Sequence, residues 1–170
     1  NFASTILSFR FAPELLVVIP LFSLYVQWDI ANTYLGLVIA YQLITFPLMV
    51  WTMRSHLEEV PAEIEEAVLM DGGSRFTAFW MIVSRISLPG LAASGTLAFI
   101  FAWNAYALPI VLAGPDTQVV TSAILGYVKF ADVEWGQLAA GATVSIIPGL
   151  IVAASLLRFI IRGMTAGAVK

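Results

Sequence analysis

The sequence predicts an all-α fold, a polytopic bundle of membrane helices with four transmembrane spans and a helical cytoplasmic loop between the second and third. Of the 170 residues, 60% are hydrophobic and only 11% are charged, whereas soluble domains carry about a quarter charged residues. The mean hydropathy is +0.91. Four long stretches are nearly free of charge, as helices that cross a bilayer are. A water-soluble globule and a disordered chain both fit these observations poorly.

The predicted spans cover residues of about 2–28, 31–56, 86–112 and 135–161, which together form one transmembrane domain over 1–170. Each of the last three contains an uncharged run as long as the roughly 20 residues that a bilayer requires. Backbone groups in lipid must bond within their own structure, and barrel strands have only about ten residues. These runs are therefore predicted to be helices.

Several classes of function are disfavoured by composition. Eight basic and eleven acidic residues give a net charge of −3, so the chain has no cationic surface for nucleic acid. It has no cysteine and a single histidine, His56, which rules out thiolate metal sites and thiol nucleophiles. The sequence therefore predicts no catalytic residue, no metal site and no enzyme.

Arginine and lysine set the predicted orientation of the bundle. They are concentrated after the second and fourth spans, at Arg54, Arg75, Arg85, Arg158, Arg162 and Lys170. The positive-inside rule places the 54–85 link and the C-terminus in the cytoplasm.

The cytoplasmic loop, 57–85, is predicted to contain a short acidic helix. Pro61 suits the first turn of a helix, and the acidic residues that follow favour its positive N-terminal end. Those residues are Glu63, Glu65 and Glu66. Gly72 is a helix stop, and Ser74 is placed to cap a second helix that begins at Arg75.

An apolar stripe accompanies these acidic residues at helical spacing. Its members are Val60, Ile64, Ala67 and Val68. Such a helix fills a groove on a partner protein with its apolar side, while its carboxylates set the orientation. The alternative is a loop that lies on lipid headgroups, which anionic lipid would disfavour by repelling the carboxylates.

Glu66-Ala67-Val68 followed by Gly72 resembles the E-A-A-x3-G loop of binding-protein-dependent ABC importer permeases. Further segments resemble the carbohydrate branch of that family, in particular its maltose/glycerol-3-phosphate type: 19–22, 32–36, 101–104 and 162–170. In the family this loop is the coupling helix that docks into a cleft of a cytoplasmic ATPase. The resemblance implies that role for Glu63, Glu66, Ala67, Asp71 and Gly72.

Two departures accompany the resemblance. The family has six spans, so the four predicted here correspond to its last four, and two N-terminal spans are expected to be missing. The family also continues after the loop with I-x-L-P, where this chain has Ile82-Val83-Ser84-Arg85 and its next proline at Pro89. The sequence leaves open the geometry of the helix that follows the loop.

The resemblance implies a permease subunit of an ATP-driven importer for a sugar, polyol or related small polar solute, in a bacterial inner membrane. The implied partners are a second permease subunit, two copies of an ABC ATPase subunit, an extracytoplasmic solute-binding protein and membrane lipid. The chain has no G-x-x-x-x-G-K-[ST] loop, so ATP is expected on the ATPase and no cofactor on this chain. The alternative is a channel-like or structural homo-oligomeric subunit that ATP does not power.

A substrate path is predicted from polar and aromatic residues inside the spans. They are Trp103, Asn104, Tyr106, Tyr41 and Gln42. An aromatic face beside an amide suits a sugar ring, since one stacks on the ring and the other bonds its hydroxyls. An interfacial aromatic belt explains the same residues equally well. Residues 119–128 either dip into the membrane surface or contact the solute-binding protein.

Overall fold

The computed structural model describes residues 5–6, 14–128 and 133–166, with side chains as far as Ser155. The helices in order are α1 (Glu14–Gln27), α2 (Tyr34–Glu58), α3 (Ala62–Met70), α4 (Arg75–Ile86), α5 (Leu88–Asn104), α6 (Ala107–Leu112), α7 (Val120–Leu125) and α8 (Trp135–Ala166). A 3-10 turn, Pro115–Thr117, lies between α6 and α7. The predicted all-α membrane bundle is confirmed.

Two helices are each long and apolar enough to cross a membrane, namely α2 and the Trp135–Ser155 part of α8. The bent pair α4 and α5 makes a third if it is counted as one span. Helix α1 has 14 residues, a rise of about 21 Å, and the predicted first span begins upstream in 2–13, which apart from 5–6 lies outside the described residues. The count of four spans therefore stays a prediction.

The predicted third span, 86–112, is not one continuous helix, because α5 ends at Asn104 and α6 follows it separately. Pro109 explains the break, since it has no N–H for the carbonyl of Ala105 and its ring would clash with that carbonyl. Ala105 is extended instead, with φ −63° and ψ 133°. Its carbonyl accepts a hydrogen bond from the Thr121 hydroxyl at 3.0 Å.

A second break separates α4 from α5, whose axes differ by 66°. Helix α4 widens into a π-helix over Phe79–Val83, and Pro89, near the start of α5, cannot donate to the carbonyl of Arg85. Pro residues and π-helical turns are the usual causes of such kinks. The bend falls at Ser87. The chain therefore bends here even though Arg85 stands where the family motif has its proline.

The buried core joins α1, α2 and α6. Its main members are Val18, Tyr25, Leu37, Ala40, Ile44, Leu108 and Leu112. The short helix α6 therefore turns back from the end of α5 and packs between the first two helices. This return places the chain after α6 beside α2 and α5.

Helix α5 packs mainly against α2, and small residues allow the close approach. Gly90, Ser94 and Ala98 recur every four residues on α5, and all three are buried. At one end of this pair the His56 ring lies against Gly90. We call this the loop end, because residues 59–74 follow His56 in the chain.

The opposite end is held by Asn32, which adopts a left-handed conformation with φ 54°. Its amide nitrogen donates to the Asp116 carboxylate at 3.3 Å, and its side-chain oxygen accepts from the Thr117 hydroxyl at 2.8 Å. The Asn32 N–H also donates to the Leu112 carbonyl at 3.1 Å. One side chain thus connects the α1–α2 turn to the end of α6 and the 3-10 turn.

Two substitutions at Asn32 separate its hydrogen bonds from its backbone conformation. Asn32→Gly keeps the left-handed conformation accessible and removes the side-chain bonds, so we expect a loss of about 1–2 kcal/mol. Asn32→Ala adds backbone strain of about 1–2 kcal/mol to that loss. The measurement is the monodisperse fraction of purified protein that survives heating, which ranks the two variants by stability. Equal losses for both variants would contradict a role for the left-handed turn.

Candidate functional site

Helix α3 carries its carboxylates on the surface of the loop end. Glu63 and Glu66 are exposed, and neither forms an ion pair with another described residue. Glu65 lies differently, with its carboxylate 3.6 Å from Nε of Arg75. Because Arg75 lies beside Glu65, Glu63 and Glu66 are the carboxylates of α3 that form no ion pair with another described residue, and the resemblance implicates both.

A tight turn ends α3 and fixes the direction of the chain that follows. Gly72 adopts a positive φ of 82°, which glycine reaches without steric cost. The Gly72 N–H donates to the Leu69 carbonyl at 3.1 Å and the Gly73 N–H to the Val68 carbonyl at 2.9 Å. This pair of bonds is a Schellman motif, and it confirms Gly72 as the predicted stop. Asp71 is the C-cap residue.

Ser74 begins the next helix as the sequence predicts. Its hydroxyl accepts a hydrogen bond from the Thr77 N–H at 3.2 Å, and α4 starts at Arg75. An N-cap of this kind satisfies one of the free N–H groups of the first turn. The loop is therefore a helix, a closed turn and a capped helix, with little freedom between them.

The predicted apolar stripe is partly buried against the rest of the chain and partly exposed to solvent. Val60, Ile64 and Val68 are half-buried, while Ala67 is exposed. Val68 packs on Gly73, where an added Cβ would lie 2.6 Å from its Cγ1. A partner would therefore meet Ala67 beside Glu66, and alanine permits close approach.

Exposed apolar residues beside the turn were not predicted from the sequence. Met70, the last residue of α3, is 88% exposed, and Phe76 in α4 is 73% exposed. The Phe76 ring contacts Trp80 edge-on, with 6.1 Å between ring centroids. Their four-residue spacing on one helix was the available signal. Together with α3 they form what we call the coupling surface: 63–80.

A cavity of about 250 Å³ lies between α2, α5 and the chain entering α7. Its lining residues are Tyr41, Phe99, Ala102, Trp103, Val119, Val120 and Thr121. The Phe99 and Trp103 rings stack on each other at 5.5 Å and 20°. The structure therefore brings together two of the predicted substrate-path residues, Tyr41 and Trp103.

The other three predicted substrate-path residues do not line this cavity. The Asn104 amide donates to the Ile100 carbonyl of its own helix at 2.8 Å, and the Gln42 amide donates to Val38 at 3.2 Å. Tyr106 is exposed at the α5–α6 break. All three lie on the outside of the described bundle. Among the residues described, no group of three or more His, Asp and Glu side chains is placed to hold a metal.

The cavity also contains residues that the sequence did not point to. Phe99 precedes Trp103 by one helical turn, so its spacing was a usable signal. No such signal marks Val119, Val120 and Thr121, because only the tertiary fold brings these residues close to α5. The predicted alternatives for 119–128, the membrane surface and a solute-binding protein, stay predictions, and the first three residues of that segment line the cavity.

Comparison with known proteins identifies a family. Residues 2–166 match the family described as binding-protein-dependent transport system inner membrane component. The chain is 32% identical over 161 residues to the trehalose transport system permease protein SugB of Mycobacterium tuberculosis, covering 93% of this chain and 59% of that protein. It is 34% identical over 142 residues to the alpha-glucoside transport system permease protein AglG of Rhizobium meliloti, covering 82% and 37%.

A third relative is the inner membrane ABC transporter permease protein YcjP of Escherichia coli, 32% identical over 157 residues. The match covers 92% of this chain and 56% of that protein. The chain thus spans roughly half the length of the curated relatives it matches.

Proposed function

The chain belongs to the family of binding-protein-dependent transport system inner membrane components, and from that premise we propose that it acts as a permease subunit of an ATP-driven importer. The observation that carries the proposal is the coupling surface. Its exposed carboxylates, Glu63 and Glu66, precede a turn that is closed by two backbone hydrogen bonds. Such a surface suits contact with a protein partner whose conformational change is transmitted through it.

In this proposal α3 is the coupling helix, with Glu63, Glu66, Ala67, Asp71 and Gly72 at its contact with a cytoplasmic ATPase. The ATPase binds and hydrolyses ATP, and this chain is itself non-catalytic. Two ATPase copies and a second permease subunit complete the membrane complex. Docking that differs between ATPase states shifts the permease between inward-facing and outward-facing forms.

We further propose an orientation and a solute. The chain is a multi-pass inner-membrane protein with the loop end and the C-terminus in the cytoplasm, as its arginines favour. The solute is a sugar, polyol or related small polar molecule, supported by the names of the trehalose and alpha-glucoside relatives. Trp103, Asn104, Tyr106, Tyr41 and Gln42 are proposed to line its path.

An extracytoplasmic solute-binding protein delivers the solute at the opposite end. A groove of about 380 Å³ lies there between α6 and the chain before α7, lined in part by Pro109, Gly114 and Gln118. The Asn32 bonds to Asp116 and Thr117 hold the neighbouring turn in place. A groove beside a turn that is held in place in this way suits docking of a protein.

Reversing the charge at Glu66 tests the coupling role. We expect Glu66→Lys to lower ATP-driven sugar uptake at least fivefold, about 1 kcal/mol, because it places a cation where the partner receives a carboxylate. The measurement is uptake by the complete complex in liposomes, with its solute-binding protein. Glu59→Lys makes the same charge change outside α3 and is expected to leave uptake near the wild-type rate. Undiminished uptake by Glu66→Lys would remove the docking role.

Purification of the native complex separates this function from the channel-like or structural alternative. A permease of this kind retains an ATPase after mild solubilisation, and we expect the two to elute together. A homo-oligomer of this chain that transports solute without ATP would support the alternative instead.

A further inference from the structure

The cavity between α2, α5 and 119–121 has one wall made of aromatic rings. Phe99 and Trp103 stack on each other with their planes 20° apart, and both rings line the cavity. The Trp103 indole N–H donates to the Ser145 carbonyl on α8 at 3.0 Å. This bond fixes the ring and uses its only donor. Trp103 therefore offers the cavity apolar surface and no hydrogen bond.

Two of the lining residues, Tyr41 and Thr121, carry hydroxyl groups. Tyr41 is half-buried, and its hydroxyl has no hydrogen-bond partner among the described residues. The Thr121 hydroxyl donates to the Ala105 carbonyl at 3.0 Å, and its oxygen keeps lone pairs that can accept. Tyr41 can both donate and accept, so together the two residues can bind a molecule that carries several hydroxyls.

The size and charge of the cavity narrow the class of ligand. Its volume of about 250 Å³ is below the roughly 300–1,000 Å³ of pockets for drug-sized molecules, so it holds a single ring. None of the seven side chains that line it is charged, which disfavours ions. A pyranose ring has a C–H face that packs on aromatic rings and an edge of hydroxyls.

We propose that this cavity is a subsite for one pyranose ring of the transported sugar, with Phe99 and Trp103 against its C–H face and the Tyr41 and Thr121 hydroxyls bonded to its edge. The proposal rests on the proposed function and deepens it by assigning the residues that bind the sugar. A lipid acyl chain is the competing occupant of an apolar cavity in a membrane. It would leave the Tyr41 hydroxyl unpaired against hydrocarbon, which is unfavourable.

Saturation-transfer NMR on the complete complex tests the subsite directly, with methyl α-D-glucopyranoside as the probe. We expect magnetisation to pass from aromatic protons to the C–H protons of the sugar ring. Phe99→Leu should reduce this transfer at least fivefold. Tyr41→Phe should weaken binding about fivefold by removing one hydrogen bond while keeping the ring. Tyr34→Phe makes the same change outside the cavity and should leave binding unchanged.

Uptake assays on the same variants keep this proposal separate from the proposed function. A wild-type complex without ATP-driven uptake of any glucoside overturns the proposed solute, and the subsite with it. Normal wild-type uptake, with Tyr41→Phe and Phe99→Leu unchanged in both binding and uptake, overturns the subsite alone. A co-purified lipid chain in the cavity that sugar does not displace has the same consequence.

Discussion

Replacing Gly73 with valine is expected to lower ATP-driven uptake at least tenfold while the complex remains assembled. A Cβ at this position would lie 2.6 Å from Cγ1 of Val68 and 3.0 Å from its carbonyl oxygen. That carbonyl accepts the Gly73 N–H at 2.9 Å, so the added carbon must push the end of α3 away from the turn. Overpacking of this kind costs about 1–3 kcal/mol. The angle between α3 and α4 changes, and with it the direction of Glu66.

The measurement is uptake and ATP hydrolysis by the complete complex in liposomes. We expect the solute-binding protein, when loaded with sugar, to stop stimulating ATP hydrolysis. The reason is that α3, held at a changed angle, no longer connects the permease to the ATPase proposed as its partner. Gly95→Val adds the same side chain where a Cβ meets nothing within 4 Å of the described chain, and it should assemble and transport normally. Wild-type uptake by an assembled Gly73→Val complex would show that the angle of α3 does not matter.

The loop was predictable in detail because its signals are local. Gly72 ends a helix through its own left-handed φ, and Ser74 caps the next through a bond three residues away. Neither feature depends on the rest of the fold. The sequence did not predict that Glu65 pairs with Arg75 across the turn, because this contact depends on the angle between the two helices.

The cavity was only partly predictable because it depends on contacts between distant residues. Tyr41 and Trp103 were identified by residue type, while Asn104 and Gln42 face away from it and bond to their own helices. By hydropathy alone, residues 86–112 form one apolar run and are predicted to be one span. The helix breaks at Ala105 because of a single proline four residues later. Because α6 then turns back against α1 and α2, the chain after it reaches the cavity, which no local pattern encodes.

The two breaks divide α5 from its neighbours at both ends, so its position depends on packing against α2. At the loop end this packing includes Gly90 against His56, six residues before the acidic helix α3 begins at Ala62. At the opposite end the Trp103 indole joins α8. Movement of the coupling surface is therefore expected to reach the cavity through the α2–α5 contact, since α5 carries Phe99 and Trp103.

Substitutions at Gly90 are expected to be strongly destabilising. A Cβ there would lie 2.5 Å from Cγ and 2.7 Å from Cβ of His56, and the His56 Cβ is fixed by the backbone, so it cannot move away without movement of α2. We expect Gly90→Leu to yield no folded complex, while Gly90→Ala loses about 3 kcal/mol, the upper part of the range for overpacking. Fluorescence-detected size exclusion after heating measures both. Gly95→Leu and Gly95→Ala are the matched controls and should remain folded.

A second substitution, made at His56, tests whether the clash with His56 causes the loss of stability in Gly90→Ala. His56→Ala leaves its Cβ in place, 2.7 Å from the added carbon, so it should rescue Gly90→Ala only in part. His56→Gly removes every atom of the contact, and the double variant His56→Gly/Gly90→Ala should be more stable than Gly90→Ala alone by about 1–2 kcal/mol, despite the cost of glycine within α2. If the two substitutions instead add independently, the α2–α5 contact at His56 does not hold α5 in place. The path from the coupling surface to the cavity would then have to pass through α4 and its bend at Ser87.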